Sequence, residues 1–319
     1  MKLKSSLPTL VIVAPCYNEQ EVLPASSICM KNILNELINA DHISNQSFIV
    51  LVDDGSKDAT WKLIEDLNCR DSKCFKGLKL SRNRGHQNAV LAGLLSYVNE
   101  ADILITIDVD LQDDPAIMKD MVSLYKNGYE VVYGVRRSRT KDSYFKKITA
   151  EFFYKIMQKL GTDVIFNHAD YRMASKRVIE ELGQFKETNL FLRGLFPFMG
   201  FKSAKVYYDR EERKAGASKY PLRKMIAFAW DGISSFSSKP LRLIFYLGLI
   251  SLFITIGLSI ATVITYFEGI AVKGWSSILI SIYFLGSIQL ISLGIIGEYI
   301  GKIFNETKRR PKFQIDRKI

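Results

Sequence analysis

Histidine and cysteine are scarce in this chain, three and four among 319 residues. His86 and His168 have no second histidine at a metal-ligand interval, and Cys16, Cys29, Cys69 and Cys74 form no paired motif. That excludes a zinc site built from imidazole and thiolate. The cysteines read as reduced packing residues of a cytosolic domain rather than as a disulfide framework. No tandem repeat or low-complexity tract is present, so nothing points to a repeat array. The opening "MKLKSSLPTLVIVAP" places lysines before an apolar run. That run is short, broken by Pro8 and Pro15, and lacks a small-residue cleavage pattern, so it reads as a first strand and not as a signal peptide.

Charge is also missing from two long stretches. The 25 residues from Leu243 to Phe267 carry none, and neither does the run from Trp275 to Gly297. The first is about 37 Å long as a helix at about 1.5 Å per residue, enough to cross a hydrocarbon core of roughly 30 Å. The short "EGIAVKG" between them predicts a hairpin with both flanks on one side of a membrane. Those flanks, "SSKPLR" and "GKIFNETKRRPKFQIDRKI", are basic, whereas the tip has one lysine. Positive flanks stay cytosolic, which puts the large N-terminal part and both termini on the cytosolic face of the cytoplasmic membrane. A net charge of +11 then suits an anionic leaflet better than nucleic acid. Two further stretches, about 141–160 and 220–242, mix aromatic and aliphatic residues with lysines in the manner of interfacial amphipathic helices. The organisation expected is a large domain over 1–219 that includes the first of these, a linker at 220–242, a hairpin over 243–300 with spans at about 243–267 and 275–297, and a basic tail at 301–319.

The large domain alternates. "TLVIVAP", "FIVLVDD", "GLKLSRN" and "DILITID" are apolar, β-branched runs that end in polar residues, with helix-like stretches between them. This predicts an α/β fold, a mostly parallel sheet with helices on both faces, whose ligands bind beyond the carboxyl ends of the strands. Those ends carry Asn18 and Glu19, Asp53 and Asp54, Arg82 and Asn83, and Asp108 and Asp110.

"DVDLQDD", residues 108–114, puts four carboxylates into seven residues after an apolar run. Such a cluster is repulsive unless a cation sits in it. Asp108 and Asp110 are two apart, so on an extended end both can share a divalent ion; Mg²⁺ or Mn²⁺ favours oxygen donors and bridges to phosphates. Asp53 and Asp54 offer acceptors to ribose hydroxyls or a base N–H, with an Asx turn as the other reading of Asp53, and Gly55 allows a tight turn. Asp58 and Asp114 read as helix caps. For His86 and His168 the readings are phosphate contact or packing.

"APCYNEQEVLP", "VLVDDGSKDATW", "LSRNRGHQNAVLAGL" and "DVDLQDDP", in this order, resemble the inverting family 2 glycosyltransferases with the GT-A fold. The two trailing spans are similar to those of the polyprenyl-phosphate hexosyltransferases, the group of the bactoprenol glucosyltransferases and dolichol-phosphate mannose synthase. The resemblance implies that Asp108, Asp110 and Gln112 hold the metal and that Pro15, Tyr17, Glu19, Asp53 and Asp54 surround the nucleoside, with Arg82 and Asp108 on the same rim. It implies that "RKAGASKY", with Arg213, Lys214 and Lys219, is a basic loop near the acceptor phosphate. It further implies a homotetramer and, by analogy, a downstream flippase and an acceptor glycosyltransferase. The Q-x-x-R-W motif of processive synthases is missing, which argues against polymer extrusion.

A lipid monophosphate acceptor with a second pKa near 6 is already a nucleophile at neutral pH, so the site needs cations to align two anions more than it needs a strong base. Arg136, Arg137, Arg139, Arg172, Arg213, Lys214 and Lys219 are the candidates. Asp170 could orient the acceptor, take a proton from it or pair with Arg172 as structure; a catalytic role is favoured, and Asp113 is the rival. UDP-glucose and undecaprenyl phosphate are the expected substrates, with GDP-mannose, UDP-galactose or a UDP-N-acetylhexosamine as other donors. A membrane-anchored nucleotide-sugar scaffold is the non-catalytic alternative.

Overall fold

A computed structural model describes residues 7–110, 112–137, 168–187, 191–209 and 274–319, with scattered positions between 241 and 264. The amphipathic stretch at 141–160, Arg139, the loop with Arg213, Lys214 and Lys219, most of the 220–242 linker and the hairpin tip lie outside the described residues.

The strands are β1 (Leu10–Cys16), β2 (Phe48–Asp53), β3 (Phe75–Leu80), β4 (Ile103–Thr106), β5 (Val131–Arg136), β6 (His168–Ser175), β7 (Ser203–Tyr208) and β8 (Ile315–Lys318). They form one sheet in the order β7-β5-β6-β4-β1-β2-β3-β8. β1 pairs in parallel with β2 and β4, β2 with β3, and β5 with β7; β6 and β8 run against their neighbours. β1 and β2 are buried along their whole length, as continuous apolar runs covered on both faces must be. Successive residues of β1 enter opposite cores. Leu10, Ile12 and Ala14 pack with α1 (Leu23–Asn39), α2 (Thr60–Arg70) and α4 (Met118–Lys126), while Val11 and Val13 pack with α3 (His86–Tyr97) and α5 (Lys176–Gln184). Helix α1 buries Leu23, Ser27, Met30, Leu34 and Leu37 on one stripe, and each such Leu or Met contributes about 1.5–3 kcal/mol. Gly93 lets α3 lie against the sheet, since a Cβ there would fall 2.4 Å from a Val13 methyl.

This topology decides what reaches the carboxyl edge. Loops 17–22, 54–59 and 81–85 and residues 107–110 follow β1 to β4 and share one rim. Because β6 runs the other way, it begins at that rim and brings Asp170 and Arg172 to it. A further helix, α6 (Leu192–Phe198), adds Arg193.

The C-terminus departs from a plain basic tail. Helix α7 runs over Trp275–Thr307, about 50 Å at 1.5 Å per residue, past the span end expected at 297 and through Glu298 and Lys302. Its Phe284–Thr307 portion is long and apolar enough to cross a membrane. The chain then returns to the sheet, where β8 pairs antiparallel with β3 and Ile319 exchanges backbone hydrogen bonds with Gly77 at 2.9 and 3.0 Å. Every β8 side chain is exposed, so backbone pairing holds the strand in place; it covers the N–H and C=O groups that an edge strand leaves open. Packing accounts for Cys16 and Cys74, which are buried, but not for Cys69, which is exposed.

Candidate active site

The first two loops are stitched together by short side chains. Ser56 Oγ accepts from Asn18 N and Thr60 Oγ1 from Glu19 N, both at 2.9 Å, and Asn18 Oδ1 accepts from Lys57 N at 2.9 Å. Asn18 takes φ +55°, a left-handed position that Asn tolerates. Asp114 caps the turn at Pro115–Ile117 by accepting from Ala116 N at 2.9 Å, as expected; Asp58 accepts from Thr60 N at 3.0 Å but sits one residue before the N-cap, Ala59, so it closes a local turn and does not cap the helix. Gly55 has φ +67°, and a Cβ there would lie 2.6 Å from the Arg82 carbonyl carbon and the Asn83 nitrogen. The second and third loops therefore touch backbone to backbone.

The two adjacent aspartates do different things. Both Asp54 oxygens accept backbone N–H groups, Oδ1 from Arg84 at 2.7 Å and Oδ2 from Gly85 at 2.9 Å. Asp53 accepts from Ser56 N at 3.1 Å through Oδ1, whereas its buried Oδ2 has no hydrogen-bond partner among the described residues. Burial pushes both carboxyls up; the Ser56 hydrogen bonds pull Asp53 back down, and those from Arg84 and Gly85 do the same for Asp54. Asp54 thus has a structural task, and Asp53 holds a desolvated acceptor suited to a donor from outside. Of the other residues expected near a nucleoside, Pro15 is buried within β1, while Tyr17, Glu19 and Arg82 stand at the rim.

The acidic segment is anchored from both sides. The Ser26 hydroxyl of α1 donates to the Val109 carbonyl, and Thr106 Oγ1 donates to the Asp170 carbonyl at 2.6 Å. Asp110 Oδ1 accepts from Gln112 N at 3.2 Å. The Asp108 side chain keeps 37% of its surface. Burial, then the charges of Asp170, Asp113 and Asp110, push its carboxyl up against the pull of His86. No three His, Cys, Asp or Glu side chains among the described residues come together as a metal site. The side-chain oxygens of Asp108, Asp110 and Gln112 are hard donors of the kind that Mg²⁺ or Mn²⁺ favours.

Asp113 faces away from that role. It is 1% exposed, and its Oδ1 accepts from Arg136 Nε at 2.9 Å, Arg136 Nη2 at 2.8 Å and the Tyr208 hydroxyl at 2.7 Å. It joins β5 and β7 to the acidic loop. Arg136 is occupied by the same bonds.

Asp170 is held more firmly still. Arg172, itself 1% exposed, donates to Oδ1 through Nη2, and Arg193 Nη2 donates to Oδ2 at 2.8 Å, with Arg193 Nε 3.2 and 3.3 Å from the two oxygens. Burial raises the Asp170 carboxyl, but Arg193 and Arg172 outweigh it and hold the group well below the usual range. Little basicity is left to it. Arg172 also donates to the Leu192 carbonyl at 3.2 Å and stacks over Phe196. His86 Nε2 lies 3.5 Å from Asp108 Oδ1 and 3.8 Å from Asp170 Oδ2, so one imidazole stands between the two carboxylates.

The rim thus brings Asp108, Asp110 and Asp170 within electrostatic reach of one another, with His86 between Asp108 and Asp170 and with Asp113 and Arg136 behind them; Asp53 ends β2, two strands from β4 in the sheet. Neither Arg193 nor the place of His86 between two carboxylates has a signal in the sequence. Arg193 sits in "LFLRGLFPF", a stretch that reads as plain core helix, and only the third-dimensional return of α6 to β6 marks it.

This mixed sheet, parallel in its first half and with an acidic rim at its carboxyl edge, has the GT-A-like architecture. The chain belongs to glycosyl transferase family 2: residues 11–183 match that family, and residues 239–303 match the GtrB C-terminal hairpin. It is 51% identical to the uncharacterized glycosyltransferase YkoT of Bacillus subtilis strain 168, over 98% of this chain and 93% of the relative. It is 37% identical to a prophage bactoprenol glucosyl transferase homolog of Escherichia coli K12, over 96% of this chain and 98% of the relative. The same identity relates it to the bactoprenol glucosyl transferase of Shigella phage SfX, over 95% and 97%.

Proposed function

We propose that this glycosyltransferase transfers glucose from UDP-glucose, with inversion, to polyprenyl phosphate at the cytosolic face of the membrane. The observation that carries the reading is the union, in one chain, of the family 2 domain and the GtrB hairpin. It is supported by near full-length similarity to relatives named bactoprenol glucosyl transferase.

In this reading the buried Asp53 Oδ2 accepts a hydrogen bond from the nucleoside, and Asp54 keeps the loop of Arg82 and His86 in place. Asp108, Asp110 and Gln112 hold Mg²⁺ or Mn²⁺. When bound, the ion neutralises charge growing on the departing diphosphate. Asp113 and Arg136 fix the acidic loop from below. The acceptor phosphate is already anionic near neutral pH, so its oxygen attacks the anomeric carbon opposite the leaving group without a strong base. Arg213 and Lys219 are proposed to draw the lipid phosphate to the rim, while α7 and the span before it keep the domain at the bilayer.

The test is sugar transfer from radiolabelled UDP- and GDP-sugars to undecaprenyl phosphate in detergent, with Mg²⁺, with EDTA, and with Asp110→Asn. A lipid-linked product from UDP-glucose that chelation and the substitution both abolish is the expected result. Folded protein that binds a nucleotide sugar yet yields no lipid product with any donor would overturn the reading in favour of a scaffold.

A further inference from the structure

The pairing of Asp170 with two guanidiniums is unequal in a way that the fold alone does not require. Arg172 is buried and its charge needs a counter-ion, because a buried cation without one is strongly unfavourable. Asp170 supplies it. A second guanidinium adds nothing to that compensation, yet Arg193 approaches both Asp170 oxygens from another helix. Its side chain keeps 29% of its surface, against 2% for Arg172. It stands at the rim, where His86 is 3.8 Å from Asp170 and 3.5 Å from Asp108. The Nε and Nη2 contacts with one carboxylate fix the plane of the guanidinium, and a fixed fork is the form in which arginine recognises phosphate oxygens. Leu192 N, the residue before it, donates to Gln87 Oε1 at 2.9 Å. That ties the helix of Arg193 to the helix that begins with His86.

We propose that Arg193 contacts a substrate phosphate oxygen in the transfer site, and that Asp170 acts through it as a positioning residue rather than as a proton acceptor. The proposal rests on the transferase reading above. The phosphate belongs either to the nucleotide donor or to the lipid acceptor, and the kinetics separate the two.

Wild-type protein and the Arg193→Ala, Arg193→Lys and Asp170→Asn variants are assayed in detergent, varying UDP-glucose and undecaprenyl phosphate separately. Arg193→Ala is expected to lower kcat/KM about 100-fold, as loss of one charge-stabilising donor does, with the rise in KM confined to one substrate. A rise for UDP-glucose assigns the donor diphosphate, and a rise for undecaprenyl phosphate assigns the acceptor. Arg193→Lys recovers part of the loss, and added guanidinium ion restores activity to Arg193→Ala, which a purely structural role would not allow. Asp170→Asn raises the same KM, and the double variant is no worse than Arg193→Ala alone. Should Arg193→Ala fail to fold, the Lys variant carries the same KM comparison. Wild-type KM values for both substrates in a folded Arg193 variant overturn the proposal, as does a double variant whose losses multiply, since Asp170 would then act independently. If the wild-type chain makes no lipid-linked sugar, the transferase reading falls and this proposal with it; active wild type with an indifferent Arg193 sinks this proposal alone.

Discussion

Asp54 and Arg84, thirty positions apart in sequence, meet carboxylate to backbone. Arg84 N donates to Asp54 Oδ1 at 2.7 Å, and the next residue's N–H donates to Oδ2 at 2.9 Å. The bond pair lets an end of β2 set the path of the loop after β3, and through it the place of His86. Asp54→Ala leaves both N–H groups without that acceptor and is expected to cost about 2–4 kcal/mol, read from denaturant unfolding. Asp54→Asn, which keeps one acceptor oxygen, should cost less, and equal losses would show that the hydrogen bonds are unimportant.

Asp170 makes stability depend on acid. Its carboxyl is held well below the usual range in the folded chain, against roughly 3.9 when unfolded. The contribution is therefore complete above the unfolded value and is lost as pH falls toward the folded one. The gap in Tm between wild type and Asp170→Asn should be constant above about pH 5 and narrow below about pH 4. A gap that stays level down to pH 3 would contradict the two-arginine clamp.

Arg136 and Tyr208 share Asp113 Oδ1, but their removal is unequal in kind. Arg136→Ala strands a buried carboxylate and should destabilise by about 3–5 kcal/mol. Tyr208→Phe removes one neutral donor to a charge and should cost about 1.5–3 kcal/mol. Thermal unfolding of the two variants checks the order, and a reversed order would assign Arg136 to substrate rather than to Asp113.

Deleting residues 313–319 removes β8 and Phe313, which packs against the core, and uncovers the edge of β3. The last strand also places Arg317 3.5 Å from Glu65 and Lys318 over Tyr97 at 4.0 Å. The truncated chain should keep its membrane association, unfold at a lower temperature and aggregate more readily, as an open strand edge invites. Unchanged Tm after truncation would show that the strand adds nothing to the domain.

Much of the parallel half of the sheet could be read beforehand, because β1 to β4 are buried runs whose residue types and polar ends announce strands. The separation of Asp53 from Asp54 could not. Both are adjacent, acidic and buried, and only the loop above them decides that one meets Arg84 and Gly85 while the other keeps an oxygen with no hydrogen-bond partner among the described residues. The same holds for Asp170, whose three open roles narrow once Arg193 arrives from α6, and for β8, whose "IDRK" has no apolar alternation to reveal it.

Composition and pattern alone determined the α/β class, the acidic rim and the apolar segments of the C-terminal hairpin, because hydrophobic burial and charge repulsion act on residue type and spacing. Tertiary structure decided which carboxylates are clamped and which stay available, and that the C-terminus closes the sheet. Apart from the Arg172–Asp170 pair, which is two positions apart, those outcomes depend on hydrogen bonds and ion pairs between residues 23 to more than 200 positions apart, and the energy of such contacts is set by distance in space and not by distance along the chain.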